Sequence, residues 1–213
     1  NVPTFTINGV DPLYILNDGN CCSAAIVFAD AAAVSAVQNS VGGASDKGDL
    51  MIRAYANVNL DADANFNAGS NDNNVSILSD KAYISTKKFE YTAGSAGADK
   101  GHLTLWAKGN VTPGCGGYIY INGDLKTTSA GAASTWQNLR DALGAVTGGL
   151  NSENLARSAG CGNLGEEMSA RTAAALSTGV QTRIQSDNDS VLITGKFEHT
   201  GKDGGLLVQG ARS

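Results

Sequence analysis

The chain has 213 residues, a formal net charge of −5 and only 16% charged residues. Hydrophobic residues make up 42% of the sequence, which is enough to build the core of a globular protein. Lysine and arginine are not clustered anywhere, so the sequence argues against a nucleic-acid or anionic-membrane partner. No apolar run approaches the ~20 residues that a membrane-spanning helix needs, which argues against membrane insertion.

The N-terminal segment predicts export and self-association. The sequence starts at Asn1 without a basic and apolar leader, which we interpret as a processed chain or an excised fragment. A surface rich in Asn, Ser, Thr and Gly but poor in ions is common in secreted proteins. We therefore expect an extracellular or cell-surface location, with a virion as the alternative. The segment from Val2 to Ile7 is predicted to be a strand that pairs with a second copy, because Pro3 stands only at its start.

Four cysteines predict two disulfides in an oxidising compartment, since their number is even. They are Cys21, Cys22, Cys115 and Cys161. A bond between the adjacent pair would need a strained ring, whereas Cys115 and Cys161 lie in glycine-flanked loops that suit long-range bridges. Two such bridges would stabilise the fold by roughly 3–5 kcal/mol each. Four unpaired thiols in a cytosolic or virion protein are the alternative.

The first half of the chain predicts a helix and then a strand. Asp30 is a candidate N-cap for an Ala-rich helix that contains Val34 and Val37 and ends at Gly42. Apolar and polar residues then alternate over 52–60, which predicts one continuous, half-buried strand.

The next segment carries the one candidate metal site. Asp61, Asp63 and Asn65 have the 1, 3, 5 spacing of the oxygen ligands in a calcium loop, and Asp72 follows them. Phe66 stands where an EF-hand has its glycine, so the pattern predicts a looser calcium site. An Asp/Asn-rich turn that is held by its own side chains is the alternative.

The second half begins with a strand that ends in Ile121-Asn122-Gly123, a strong turn signal. A helix is predicted next, because Ser134 and Gln137 form a capping-box pattern. Its apolar face is given by the helical spacing of four residues: Trp136, Leu139, Leu143 and Val146.

Four segments of the first half recur in the same order in the second half. The matched pairs are 5–11 with 119–125, 70–77 with 186–193, 88–92 with 196–200, and 100–105 with 203–208. A duplication explains them, with modules at 1–110 and 118–213 and a linker at 111–117; coincidental turn chemistry is the alternative. We therefore predict an α+β, β-rich fold of two tandem strand–helix–antiparallel-strand modules.

The second module resembles the "IN" motif of flagellin and hook-associated protein outer domains. The matches are Ile121-Asn122-Gly123, the helix through Trp136, the segment 179–182 and the strand 191–194. The resemblance covers about half of the module and implies a surface-facing domain of an extracellular filament. The long heptad helices with which flagellins polymerise are not found in this sequence.

Catalytic patterns are weak in this sequence. His102 and His199 have no evident triad partners, and no glycine-rich phosphate loop follows a strand. Tyr118 and Tyr120 have the period of one sheet face, with a stacking role toward sugars as the alternative. We expect no enzymatic activity and no cofactor other than a possible Ca²⁺.

The leading functional hypothesis is a structural subunit of an extracellular, self-assembling filament or surface layer. The alternatives are a phage or virion structural protein of the capsid or tail, and a carbohydrate- or receptor-binding module.

Overall fold

The computed structural model describes residues 13–17, 25–41, 48–69, 73–93, 101, 103–109, 117–129, 180–186, 189–201 and 205–210. The chain passes repeatedly around one axis, and one such pass is called a coil below. The first coil contains β1 (Leu13–Asn17), β2 (Ile26–Phe28) and helix α1 (Ala31–Gln38), followed by a 3₁₀ turn (Asn39–Val41).

In the later coils, the regular elements among the described residues are all strands. The second coil has β3 (Leu50–Ala54), β4 (Val58–Leu60) and β5 (Ala64–Gly69). The third has β6 (Val75–Ser79), β7 (Ile84–Thr86) and β8 (Phe89–Ala93). The fourth has β9 (Leu103–Ala107), β10 (Ile119–Ile121) and β11 (Leu125–Ser129). The fifth has β12 (Val180–Ser186), β13 (Val191–Ile193) and β14 (Phe197–Gly201), and β15 (Gly205–Gln209) begins a sixth.

The strands form three sheets that the chain visits in rotation. The first sheet has the order β1-β3-β6-β9-β12-β15, the second β13-β10-β7-β4-β2, and the third β14-β11-β8-β5. Every strand pair among the described residues is parallel. Because each strand pairs with its counterpart one coil away, the architecture is a parallel β-helix.

Equivalent core positions stack directly on one another from coil to coil. One column of the first sheet consists of Ile15, Ile52, Ile77, Leu105, Ile184 and Val208. Its four central members are fully buried. Since burying a residue of this type stabilises the fold by about 1.5–3 kcal/mol, such columns are the main source of cohesion between coils.

Helix α1 closes the N-terminal end of the third sheet. Asp30 caps the helix as predicted, accepting a hydrogen bond from Ala33 N at 2.8 Å, and Val34 and Val37 are buried. The Gln38 side chain accepts a hydrogen bond from the backbone N–H of Asn65 at 2.9 Å. This contact satisfies a donor on the outer edge of β5. The predicted end of the helix at Gly42 lies outside the described residues.

The prediction of antiparallel strand–helix–strand modules in an α+β fold is wrong. The described residues contain one short α-helix, and the sheets are parallel. The turn at Asn122-Gly123 is real, and Gly123 has a φ of 147°. It forms a corner that leads from the second sheet into the third, where a hairpin would have returned β11 onto β10. Asn and Gly favour turns of several types, so this motif predicts a change of chain direction but does not identify the pairing partner.

The single strand predicted for 52–60 is also wrong, because the chain bends after Ala54. Strand β3 ends there in the first sheet, and β4 begins at Val58 in the second sheet. Ala56 in the bend is buried, while its neighbours Tyr55 and Asn57 are partly exposed. The alternation of buried and partly exposed residues therefore continues through the corner. For this reason, sequence periodicity does not reveal the bend.

Two of the four sequence matches join positions that are equivalent in the structure. Residues 89–92 and 197–200 belong to β8 and β14 of the third sheet, and Leu103 and Leu206 both lie in the first sheet. By contrast, Val75 lies in the first sheet and its sequence match Val191 in the second. The first matched pair includes residues 5–11, which lie outside the described residues. The shortest repeat is one coil, as in the pairing of Leu50 with Val75, 25 residues apart.

The predicted linker at 111–117 lies almost wholly outside the described residues. Its flanks, however, meet: a Cβ placed on Gly117 would lie 2.4 Å from Gly109 Cα. Strands from before and after this segment also pair within all three sheets, as β7 does with β10. Gly109 and Gly117 therefore lie side by side in the fourth coil.

Replacing Ile77 by Ala should lower the free energy of unfolding by about 2–5 kcal/mol, because it removes buried methyl groups from the centre of a column. Chemical denaturation measures the change. Val208→Ala is the matched control at the end of the same column, where the side chain is 40% exposed. We expect a clearly smaller loss there, and equal losses would contradict the stacking account.

Candidate functional site at the C-terminal end of the sheets

Charged side chains form a regular pattern on the outer face of the third sheet. One outward column runs from Glu90 through Lys126 to Glu198 in register. The residues that precede the strands alternate as well: Asp63, Lys88, Asp124 and Lys196. Within each of these two columns, charged residues that are neighbours across a coil boundary have charges of opposite sign. Opposite charges directly across strands are favourable, and like charges are not.

The acidic members of the second column also bind backbone across the coil boundary. The N–H of Lys88 donates to Asp63 Oδ1 at 3.3 Å, and the N–H of Lys196 donates to Asp124 Oδ1 at 2.8 Å. The same corner is therefore built twice, two coils apart. At the second site, a Cβ on Gly195 would clash with the Asp124 carboxylate and the backbone of Gly123, so the corner requires glycine.

Ion pairs also run along the strands of this face. Lys88 Nζ lies 2.9 Å from Glu90 Oε1, and Lys196 Nζ forms the same kind of ion pair with Glu198 Oε1. The hydrogen bond with Glu90 raises the pKa of Lys88, and the one with Glu198 raises the pKa of Lys196. In return, Lys196 lowers the pKa of Glu198. These groups are exposed to solvent, so each pair contributes modestly to stability.

The C-terminal end exposes side chains that are buried in the other coils. Phe197 is 38% exposed, although Leu125, its in-register neighbour one coil earlier, is fully buried. Val208 is 40% exposed, and its neighbour Ile184 is fully buried. The strands concerned are the last in their sheets, so their outward edges lack an in-sheet neighbour among the described residues. This end combines strand edges with exposed apolar surface, which is the combination that promotes strand pairing between molecules.

His199 lies at this end, on the core-facing side of β14. Its Nδ1 is 2.8 Å from the Thr127 hydroxyl on the neighbouring strand β11. Partial burial lowers the pKa of His199 below its ordinary value of 6.5. The imidazole is therefore favoured in its neutral form, which suits a position next to the core.

The outer face of the first sheet is buried and internally paired. Arg53 makes a bidentate ion pair with Asp80, with the shortest contact at 2.8 Å. Burial raises the pKa of Asp80, and Arg53 acts against that rise. Further along the face, the Arg183 guanidinium lies 5.5 Å from the centre of the Trp106 ring, a cation–π contact. The charges on this face are thus satisfied within the chain.

The predicted calcium ligands lie at the corner between the second and third sheets. Asp61, Asp63 and Asn65 are all exposed, and Asp72 lies outside the described residues. Asp63 accepts the Lys88 N–H, and Asn65 points outward from β5. No group of three or more His, Cys, Asp or Glu side chains converges among the described residues. The calcium site remains a prediction.

Several other predicted sites lie outside the described residues. They are Cys21, Cys22, Cys115, Cys161, His102, the helix through Trp136 and the strand from Val2 to Ile7. The structure does place the predicted tyrosines. Tyr118 stacks on Tyr83 of the preceding coil, with ring centres 4.7 Å apart and an interplanar angle of 2°. Tyr120 lies on the outward side of β10. The Tyr118 ring thus serves packing between coils.

Sequence reasoning did not identify Lys196, Phe197 and Glu198 as a site. In the sequence they belong to the segment 196–200, which matches 88–92. The Lys-Phe-Glu pattern itself carries a signal. In an extended segment, the two charged side chains point outward and can form an ion pair, while the phenylalanine between them points into the core. What the sequence did not show is that the second copy of this segment lies at the end of a sheet.

Comparison with family models, with curated proteins and with solved structures gave no match. Among the described residues, no helix has the length and apolar character needed to cross a membrane.

Replacing Lys126 by Glu should destabilise the fold by about 1 kcal/mol at low salt, because it puts a carboxylate between Glu90 and Glu198. The loss should shrink in 1 M salt, where charges are screened within ~3 Å. Denaturant titration at both salt concentrations measures it. Thr128→Glu places a carboxylate on the same strand between the neutral Thr92 and Thr200, with a net change of one charge where Lys126→Glu makes two, and should cost less. Equal, salt-independent losses would rule out a role for the column.

Acidification should weaken the fold through His199. Its pKa is lower in the folded chain than in the unfolded chain, so the unfolded chain binds more protons just below pH 6.5. The stability that neutral His199 contributes is present above pH 6.5 and is lost as the pH falls toward the folded-state pKa. We expect His199→Gln to flatten the decline in unfolding free energy between pH 7.5 and 5, and His102→Gln to leave this contribution in place. A wild-type decline in the His199→Gln variant would refute the assignment.

Proposed function

We propose that the protein is a non-enzymatic structural subunit of an extracellular assembly, and that its C-terminal end is the surface through which copies associate. The observation that carries the proposal is the contrast between the ends of the columns. Phe197 and Val208 are more than one-third exposed, whereas Leu125 and Ile184, one coil away, are fully buried. A core position that faces solvent together with an open strand edge is stabilised when another strand covers it.

The composition of the outer faces supports a structural role. Charged residues of the third sheet form ion pairs along the strands, and Arg53 forms a buried ion pair with Asp80 on the first sheet. Such groups hold successive coils in register. A parallel β-helix also supplies a simple way to build assemblies, because each coil presents the same backbone edges to the next.

A filament or surface layer is the form of assembly that the flagellin-like segments suggest, and a virion component would share the same self-association. A carbohydrate- or receptor-binding module is the less favoured alternative. A sugar-binding platform would leave its ring faces available to the ligand. Tyr83 and Tyr118 instead stack on one another, so the ring faces between them are used for packing between coils.

The proposal is tested by the particle mass and shape under non-reducing conditions. We expect light scattering to give a mass above the 21.7 kDa of one chain, and electron microscopy to show ordered particles of uniform cross-section. A parallel sample with a calcium chelator tests the predicted metal site, since disassembly would place calcium at the joints. A stable monomer at every concentration, with or without chelator, would overturn the self-assembly proposal.

A further inference from the structure

The charge pattern on the third sheet is incomplete at its C-terminal edge. Within the sheet, Lys88 lies between Asp63 and Asp124, so it has an acid on both sides. Among the described residues, Lys196 has Asp124 on one side only, and Glu198 has Lys126 on one side only. A strand that continued the pattern beyond β14 would place an acid opposite Lys196 and a base opposite Glu198.

Strand β14 itself meets this requirement when it is reversed. Lys196 and Glu198 lie on either side of Phe197, and all three are exposed. In an antiparallel pair centred on Phe197, Lys196 of each copy would face Glu198 of the other. Shifting the centre to Glu198 or to Lys196 would oppose like charges, and so would a parallel pairing in register. The charges therefore select one arrangement of two copies of this strand.

We infer that two copies of this chain associate through their C-terminal ends, with β14 of each copy antiparallel to β14 of the other and Phe197 on a two-fold axis. This inference rests on the self-assembly proposed above and specifies its joint. The two Phe197 side chains then cover one another on the core side of the sheet. They replace the covering that the next coil provides for Leu125 within the chain.

The other two terminal strands fit the same symmetry. Strands β13, β14 and β15 are consecutive in the chain, and each ends one sheet. Because β14 is the middle one, a two-fold axis through it exchanges the other two, so that β13 of each copy approaches β15 of the other. These strands carry the exposed Leu192 and Val208. The N-terminal end of the third sheet is less suited to this role, since α1 and the Gln38 contact already cover β5.

A two-fold joint closes on itself. It therefore yields a pair of chains, and a longer assembly requires an additional contact elsewhere on the molecule.

Charge reversal tests the arrangement directly. Lys196→Glu leaves two acids on the strand and Glu198→Lys leaves two bases, so each variant alone opposes like charges across the axis. We expect each to weaken pairing by about tenfold in Kd at low salt. An equimolar mixture of the two variants restores opposite charges at both contacts, and so does the double variant paired with itself. Both should pair about as tightly as the wild type, measured by sedimentation equilibrium or light scattering over a concentration series.

Matched controls separate the joint from the fold. Lys88→Glu and Glu90→Lys make the same changes in β8, an interior strand of the same sheet, and should leave the Kd of pairing unchanged. Circular dichroism and thermal unfolding confirm that each variant is folded before its mass is measured. Phe197→Ser removes the apolar contact at the axis without a change of charge and should also weaken pairing.

The outcomes distinguish the joint from self-assembly in general. If the Lys196→Glu, Glu198→Lys or Phe197→Ser variant self-associates as tightly as the wild type, this joint is overturned. Self-assembly by another contact would still stand. Weakening by both single charge variants without recovery in their mixture would overturn the antiparallel register. A monomeric wild-type chain would overturn the joint and the proposed function together.

Discussion

The structure depends on one constraint, which is that each coil must place its core side chains directly over those of the coil before it. In-register parallel pairing enforces this, and the column through Ile52, Ile77 and Leu105 shows the result: similar side chains at equivalent positions, all fully buried. A slip of one residue in any coil would turn its core side chains outward, because side chains alternate along a strand. Burial of the core therefore requires the observed register between coils.

The charges on the third sheet reinforce that register from outside. Glu90, Lys126 and Glu198 alternate in sign only when the coils are aligned as observed. Exposed pairs contribute little energy individually, so their value lies in the penalty that they impose on misaligned coils. The same logic extends to the end of the sheet, where Lys196 and Glu198 present an unfinished pattern next to the exposed Phe197.

The two edge strands of the third sheet differ in how they are covered. At the N-terminal end, α1 lies where a strand would lie, and Gln38 satisfies a backbone donor of β5. At the C-terminal end, β14 and the adjoining terminal strands have no further strand beside them among the described residues, and they carry exposed apolar side chains. Sheets that end in open edges are prone to pair with another chain. The third sheet is thus covered by α1 at its N-terminal end and, among the described residues, uncovered at its C-terminal end.

The sequence by itself determined the local features: the helix capped by Asp30, the glycine turn at Asn122-Gly123, and the equivalence of the two Lys-Phe-Glu segments. These depend on a few neighbouring residues, so short patterns suffice to predict them. Only the tertiary structure decided that the strands pair in parallel, that 52–60 turns a corner, and that Phe197 lies at an open end. A corner and a hairpin share the same turn chemistry, and alternation continues through a bend, so local sequence does not specify which strand comes to lie alongside. That choice is made by the stacking of core side chains from different coils, which are far apart in the chain: Leu50 and Val75, for example, are separated by 25 residues.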